Sequence, residues 1–124
     1  TQADDPRIIE LGPDGAHRGG WGGSLIADTH LMTIAPDGRL FVVDRDMHEV
    51  VICTTSGERL GGLGRRGEPL RPFNHPSDVA IAPSGRIFVA DGYAAHCVHR
   101  FDAGGAYLGS FGGPGREPGR FMEP

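Results

Sequence analysis

The chain has 124 residues with 12 basic and 16 acidic side chains, which gives a net charge of -4. The chain has no excess of positive charge that would attract a polyanion, so neither nucleic acid nor an anionic membrane surface is expected as a partner. With 21 Gly, 10 Pro and no long segment of helical period, the chain is predicted to be all-β. It has no apolar run long enough to span a bilayer. The compartment stays open, because a cleaved signal peptide would leave no trace.

In chain order, the polar residues 1–6 precede a predicted pair of strands in residues 7–22. Residues 23–64 and 65–112 each hold a larger unit, and residues 113–124 form a Gly- and Pro-rich connector to a unit that would follow. Within each larger unit, short apolar runs alternate with turn-forming residues. This pattern predicts two four-stranded antiparallel sheets after one two-stranded half sheet.

The second larger unit shows the pattern most clearly. Its apolar runs at residues 79–82, 87–90, 98–101 and 107–111 are rich in Val, Ile, Phe and Tyr. Those residue types favour strands. Two of the intervening breaks contain glycine and are short enough for tight hairpins.

The two larger units are copies of each other. Pro36 matches Pro83 at an offset of 47 residues, whereas Gly64 matches Gly112 at an offset of 48. The second unit therefore has one extra residue, and it lies shortly after Asp91. A weaker copy of the last two strands lies upstream at an offset of 42. Four strands at periods of 42 to 48 residues predict the blades of a β-propeller.

About two and a half blades are thus expected, and each blade buries its faces only against its neighbours. An open stack would leave apolar faces and unpaired strand edges in water. The preferred interpretation is a segment of a longer ring, with the remaining blades as its partners. The alternative is a ring closed by other copies of the chain.

Strand direction divides the loops between two faces of the propeller. The loops before each first strand and between each second and third strand share one face, and the Gly hairpins share the other. The side chains that could bind a ligand or take part in catalysis are expected on the first face. They are His30, Asp46, Met47, His48, Asn74, His75, Tyr93 and His96.

Several of these residues also have structural interpretations. Asp44 and Asp91 end equivalent strands, so each is expected to bond a neighbouring loop. Tyr93 breaks the repeat, which makes it a better functional candidate than residues that keep it. Two interpretations of Cys53 and Cys97 stay open: they form a disulfide, or they are two buried thiols. The adjacent arginines 65 and 66 are expected to lie in a solvated loop.

The motif F-x-x-P-x-D-V-A-I-A-P-x-G-R-I-F-V-A-D in the second unit resembles an NHL repeat, and the first unit holds a weaker copy. Asp91-Gly92-Tyr93, followed by Val98-His99-Arg100-Phe101, resembles the peptidyl-α-hydroxyglycine α-amidating lyase branch of that family. This resemblance implies a six-bladed propeller.

The resemblance also implies site residues. Tyr93 would be catalytic, His30 would bind zinc, and the backbone carbonyl of Met32 would contribute to a calcium site. One zinc ligand cannot hold the ion, so the other ligands are expected beyond residue 124, and this chain by itself is expected to be inactive.

Two functions stay open at this stage. One is cleavage of the carbon–nitrogen bond of a small peptide-like hydroxyglycine substrate to an amide and glyoxylate. The other is a non-catalytic NHL propeller that binds protein or another ligand, because a propeller alone does not imply catalysis.

Overall fold

The computed structural model describes residues 6–92 and 95–120. Over those residues the only helical element is a 3₁₀ turn at Arg45–Met47. Within the described ranges, no helix has the length and apolar character needed to cross a membrane. The strands are β1 (Ile8–Leu11), β2 (His17–Trp21), β3 (Thr29–Ile34), β4 (Leu40–Asp44), β5 (Glu49–Cys53), β6 (Arg59–Leu63), β7 (Asp78–Ile81), β8 (Ile87–Asp91), β9 (Cys97–Phe101) and β10 (Tyr107–Gly112).

The strands form three antiparallel sheets in sequence order. β1 pairs with β2, β3 to β6 form a four-stranded sheet, and β7 to β10 form a second four-stranded sheet. We call these the half blade, the first blade and the second blade. The predicted all-β architecture of two and a half propeller blades is confirmed.

Glycine makes the equivalent hairpins of the two blades possible. Gly38 and Gly85 both have φ of +90°, which is costly for residues with a Cβ atom. Each donates its backbone N–H to the residue three positions earlier, Ala35 at 2.9 Å and Ala82 at 2.8 Å. The two turns therefore close in the same way, as their shared Pro-x-Gly sequence predicts.

The main hydrophobic core lies between the two complete blades. Along β4, Phe41 and Val43 point into this core, whereas Leu40 and Val42 pack toward the half blade. The alternation follows from the two-residue period of a strand. Because the first blade is covered on both sides, every residue of β4 and β5 is buried.

Among the described residues, the second blade is covered on one side only. Along β8, Ile87, Val89 and Asp91 are buried, while the alternating residues Phe88 and Ala90 are partly exposed. Phe88 and Ala90 line a shallow apolar depression together with Val79, Ala80 and Val98. This is the side on which a further blade would pack in a propeller.

The Gly hairpins of the two blades lie side by side. A second depression is lined by Pro36 and Asp37 of one hairpin and by Pro83, Ser84 and Gly85 of the other. At the opposite ends of the strands, loops of the two blades meet through His48 and His75. The predicted separation of hairpins from the histidine-bearing loops is thus confirmed for these residues.

Candidate functional site

His30 occupies an irregularity in the innermost strand of the first blade. In the β3–β4 register, Thr29 pairs with Asp44 and Leu31 pairs with Val43, which leaves His30 as the extra residue of a β-bulge. Its side chain is half-buried. Bulges redirect side chains, and they are frequent beside active sites. The sequence placed His30 in a loop before the strand, and this was wrong, because the strand already begins at Thr29.

The backbone of Met32 faces away from β4. Ala35 donates its N–H to Arg39 at 2.8 Å, and hydrogen-bonded pairs alternate along an antiparallel ladder. Met32 pairs with Val42 three positions farther along, so this pair is of the non-hydrogen-bonded kind. The Met32 carbonyl therefore points to the open edge of β3, an orientation compatible with an oxygen ligand for a cation.

Tyr93, the predicted catalytic residue, lies outside the described residues. Asp91 and Gly92, which precede it, are both buried. The structure thus tests neither its role nor the prediction that it shares a face with His30.

His48 and His75 meet across the boundary between the blades. Their ring centroids are 4.5 Å apart in an edge-to-face arrangement, and the backbone N–H of His75 donates to Nδ1 of His48 at 3.1 Å. Burial lowers the pKa of His48, and the charge of His75 adds to this effect. His48 therefore serves as a neutral acceptor that joins two loops.

Arginine neutralises two buried carboxylates of the first blade, Asp44 and Glu49. Asp44 accepts backbone N–H groups from Ala27 at 2.9 Å and Asp28 at 2.8 Å. Arg66 Nη1 lies 2.8 Å from Asp44 Oδ2 and 3.2 Å from Glu49 Oε1. The loop-bonding role predicted for Asp44 is confirmed. The predicted solvated loop is confirmed, since residues 65–70 are exposed, but Arg66 also pairs with two buried carboxylates, which the sequence did not indicate.

The second blade has different chemistry at the corresponding aspartate. Asp91 accepts the backbone N–H of Asn74 at 2.9 Å, which confirms the predicted loop bond. Its other close partner is Nε2 of His99, 3.0 Å from Asp91 Oδ2. The same imidazole nitrogen lies 3.5 Å from Sγ of Cys97. The opposite ring nitrogen, Nδ1, lies 3.0 Å from the hydroxyl of Tyr107.

Sequence reasoning did not find this cluster. It assigned no role to the His99 side chain, which is buried in the structure. A signal was present in the comparison of the blades, since Cys97 replaces Glu49 and Tyr107 replaces Arg59 at an offset of 48. Tyr93 was singled out because it breaks the repeat, and the same criterion also selects Cys97.

Both cysteines are free thiols. Burial raises the pKa of the Cys53 thiol, whereas the nearby charge of Arg59 acts in the opposite direction. Burial also raises the pKa of Cys97, and the negative charge of Asp91 adds to that increase. Of the two interpretations left open by the sequence, the structure supports unpaired thiols.

Three potential metal ligands converge in the second blade. The ligand atoms of Asp91, Cys97 and His99 all lie within 4.8 Å of one another. In residues 6–92 and 95–120 this is the one such group of His, Cys, Asp or Glu side chains. His30 is not part of it, so a metal ion at His30 would need ligands from outside the described residues.

Comparisons with known proteins agree with the repeat pattern. The NHL repeat family profile matches residues 73–101, which include β7, β8 and β9. Peptidyl-alpha-hydroxyglycine alpha-amidating lyase 2 from Drosophila melanogaster is 31% identical over 117 residues, covering 82% of this chain. A probable peptidyl-alpha-hydroxyglycine alpha-amidating lyase from Caenorhabditis elegans is 33% identical over 110 residues, covering 84% of it.

The match covers only part of each relative. The chain spans 29% of the Drosophila protein and 31% of the Caenorhabditis protein. Peptidyl-glycine alpha-amidating monooxygenase B from Xenopus laevis is 32% identical over 96 residues, which are 73% of this chain and 11% of that protein. The chain contains an NHL repeat, folds as propeller blades and is homologous, over most of its length, to peptidyl-α-hydroxyglycine α-amidating lyases.

Proposed function

We propose that the protein containing this chain is a carbon–nitrogen lyase of the amidating type. Its substrate would be a peptide or related carbinolamide ending in α-hydroxyglycine, and its products would be the amide and glyoxylate. The observation that carries the proposal is the identity of 31% and 33% to two relatives named as such lyases, each over more than four fifths of the chain.

The reaction needs a group that removes a proton from the substrate hydroxyl. Loss of that proton lets the C–O bond become the carbonyl of glyoxylate while the C–N bond breaks, and the amide nitrogen then takes up a proton. We assign the base role to Tyr93, which follows the buried pair Asp91 and Gly92. A free tyrosine has a pKa near 10, so this role requires a nearby cation that lowers it.

The position of His30 suits a metal ligand. It is the extra residue of a bulge at the inner edge of the first blade, and its side chain is half-buried. Zinc held there through the imidazole would supply Lewis-acid polarisation of the substrate. The proposal assigns the remaining ligands to other blades of the same ring, because the one group of potential metal ligands in residues 6–92 and 95–120 does not include His30.

The proposal includes a second metal, a calcium ion. The backbone carbonyl of Met32, which points to the open edge of β3, is compatible with binding it. Calcium takes oxygen ligands, including backbone carbonyls. The orientation deduced from the β3–β4 ladder leaves the Met32 carbonyl directed away from β4. A calcium ion bound there would join the first blade to other parts of the ring and would act in stability rather than in chemistry.

Turnover of matched substrates tests the proposed reaction. The full-length protein should release glyoxylate from a peptide ending in α-hydroxyglycine and leave the corresponding glycine-ended peptide intact, because only the former has a hydroxyl proton to lose. Release of glyoxylate and peptide amide in equal amounts is the expected result. Binding of both peptides without cleavage of either would instead favour a non-catalytic propeller.

A further inference from the structure

The ladder of the second blade brings three ligand-bearing side chains together. Asp91, at the end of β8, is the register partner of Cys97, at the start of β9. His99 lies two residues after Cys97 and so points to the same face of the sheet. Asp91 is fully buried and His99 is 5% exposed.

The two ligand-atom separations measured from His99 suit a small tetrahedral cation. With zinc–nitrogen and zinc–oxygen bonds near 2.0 Å and a zinc–sulfur bond near 2.3 Å, ligand atoms are about 3.3 Å apart for N and O and about 3.5 Å apart for N and S. The observed separations from Nε2 of His99 are 3.0 Å to Asp91 Oδ2 and 3.5 Å to Cys97 Sγ.

In the first blade, the carboxylates at the positions equivalent to Asp91 and Cys97 are each paired with an arginine. There the buried Asp44 carboxylate is balanced by Arg66, and Glu49 is balanced by Arg59 at 2.8 Å. In the second blade, Pro114 and Tyr107 stand at the positions of these arginines at an offset of 48. The described residues therefore provide Asp91 with no arginine.

Asp91 also keeps one unused oxygen. Its Oδ1 atom is buried and has no hydrogen-bond partner among the described residues. A buried carboxylate oxygen without a partner is costly, and native structures usually satisfy such an atom with protein, water or an ion. This orphaned oxygen is an observation independent of the cluster's spacing, and a cation held by both carboxylate oxygens of Asp91 would satisfy it.

The hydrogen bond of His99 to Tyr107 would orient the imidazole for metal binding. Its Nδ1 lies 3.0 Å from the Tyr107 hydroxyl oxygen, which can accept a hydrogen bond from a protonated Nδ1. In this tautomer Nε2 is unprotonated and free to bind a metal ion. Metal-bound histidines commonly donate their second ring nitrogen in this way.

The same geometry argues against a nucleophilic Cys–His–Asp triad. Such a triad needs the cysteine and the aspartate on opposite ring nitrogens of the histidine. Here both contact Nε2 of His99. The arrangement suits convergence on one ion or, without an ion, a simple Asp91–His99 pair.

We propose that Asp91, Cys97 and His99 bind one zinc-class divalent transition-metal ion in the second blade. Thiolate and imidazole ligands select such ions over calcium and magnesium, and three protein ligands leave one open coordination position. Binding would release the thiol proton of Cys97 and shift the His99 proton to Nδ1. This site goes beyond the proposed lyase function, since it shares no ligand with His30.

Cobalt is a suitable probe because a cobalt–thiolate bond gives a charge-transfer absorption that histidine ligands alone do not. We expect the metal-free full-length protein to take up one thiolate-bound Co²⁺ per chain, and Zn²⁺ to displace it. The ligand that this chain is proposed to supply at the other metal site is the His30 imidazole, so a band that depends on Cys97 reports the second-blade site whether or not the lyase proposal holds.

Matched variants assign the band to its residues. Cys97→Ser should abolish it, whereas Cys53→Ala, which alters the other thiol, should retain it. Tyr107→Phe should keep the band but weaken metal affinity by about 10- to 100-fold, the usual effect of losing a histidine's outer partner. A band that survives Cys97→Ser, or no band in the wild-type protein, would overturn the proposal and leave a hydrogen-bonded Asp91–His99 pair.

A second measurement covers the case in which Cys97→Ser does not fold. In the Cys53→Ala protein Cys97 is the only thiol of this chain, and it is partly exposed. Zinc should slow its alkylation by a small thiol reagent, and a chelator should restore the original rate. An alkylation rate that is unchanged by zinc would contradict the site.

Discussion

The guanidinium of Arg66 reaches 2.8 Å from Asp44, so one connector side chain neutralises a carboxylate that is fully buried in the first blade. Arg66 itself remains about one third exposed, with 34% of its side chain in solvent. The pair thus links the connector after β6 to the end of β4.

Removing this arginine should destabilise the protein. Arg66→Met leaves Asp44 and Glu49 without their shared cation, and the expected loss in the free energy of unfolding is about 2 kcal/mol, below the full cost for a completely buried pair. Arg65→Met is the matched control, because Arg65 is 67% exposed and its substitution should change stability by less than about 0.5 kcal/mol. Equal denaturant midpoints for the two variants would contradict this assignment.

Alanine substitutions at two glycines distinguish the cost of backbone strain from the cost of a steric clash. Gly64 and Gly38 have φ of +84° and +90°. A Cβ atom at Gly64 would lie 2.7 Å from the Phe73 ring and 2.8 Å from the His48 carbonyl, whereas one at Gly38 would meet nothing within 4 Å. Gly64→Ala should therefore lower the free energy of unfolding by about 2 kcal/mol more than Gly38→Ala. Chemical denaturation of both variants tests this difference.

The fold could be predicted because its signals are local and repeated. Hairpins such as those at Gly38 and Gly85 recur at a fixed spacing, and alternation along β4 and β8 sets which residues face each core. The start of β3 was misjudged, since the bulge at His30 depends on pairing with β4 rather than on propensity. Sequence comparison cannot show such an irregularity in advance.

In the candidate sites, features that repeat between the blades were predicted, whereas a contact that depends on strand register was not. The loop-bonding roles of Asp44 and Asp91 repeat in both blades and were predicted. The Asp91–His99 contact was missed, because residues 8 positions apart meet only through the register of β8 and β9. The resemblance to amidating lyases selected Tyr93, and the comparisons support the family without testing that residue.

Acidification should weaken the boundary between the blades through His48. Burial lowers the pKa of its imidazole in the folded protein, so as pH falls below about 6.5 the unfolded chain takes up this proton first. The contribution of His48 to stability is therefore complete above that pH and declines below it, until the folded form is protonated as well. Nδ1 would also lose its bond from the His75 backbone on protonation.

Stability measured between pH 7.5 and 5.5 tests this prediction. His48→Gln should reduce the fall in the free energy of unfolding over this range relative to the wild-type protein. His17→Gln, a substitution at an exposed position of β2, should leave the fall unchanged. A pH dependence that is the same in all three proteins would show that His48 does not contribute to it.

Metal content should distinguish His30 from other histidines. In the full-length protein His30→Ala should lose the zinc required for turnover, because the imidazole is the ligand that this chain is proposed to supply. His17→Ala is the control at an exposed position and should retain both zinc and turnover. The cobalt–thiolate absorption should persist in both variants. Full zinc content and full turnover in His30→Ala would remove this residue from the proposed site.

The most direct test of the lyase proposal is turnover by Tyr93→Phe in the full-length protein, measured as glyoxylate released from a hydroxyglycine-ended peptide. Removing one hydroxyl deletes the proposed base and leaves His30 and the second-blade cluster unchanged. We predict that glyoxylate release is abolished while metal content equals that of the wild-type protein. Wild-type rates of release by Tyr93→Phe would contradict the assigned mechanism.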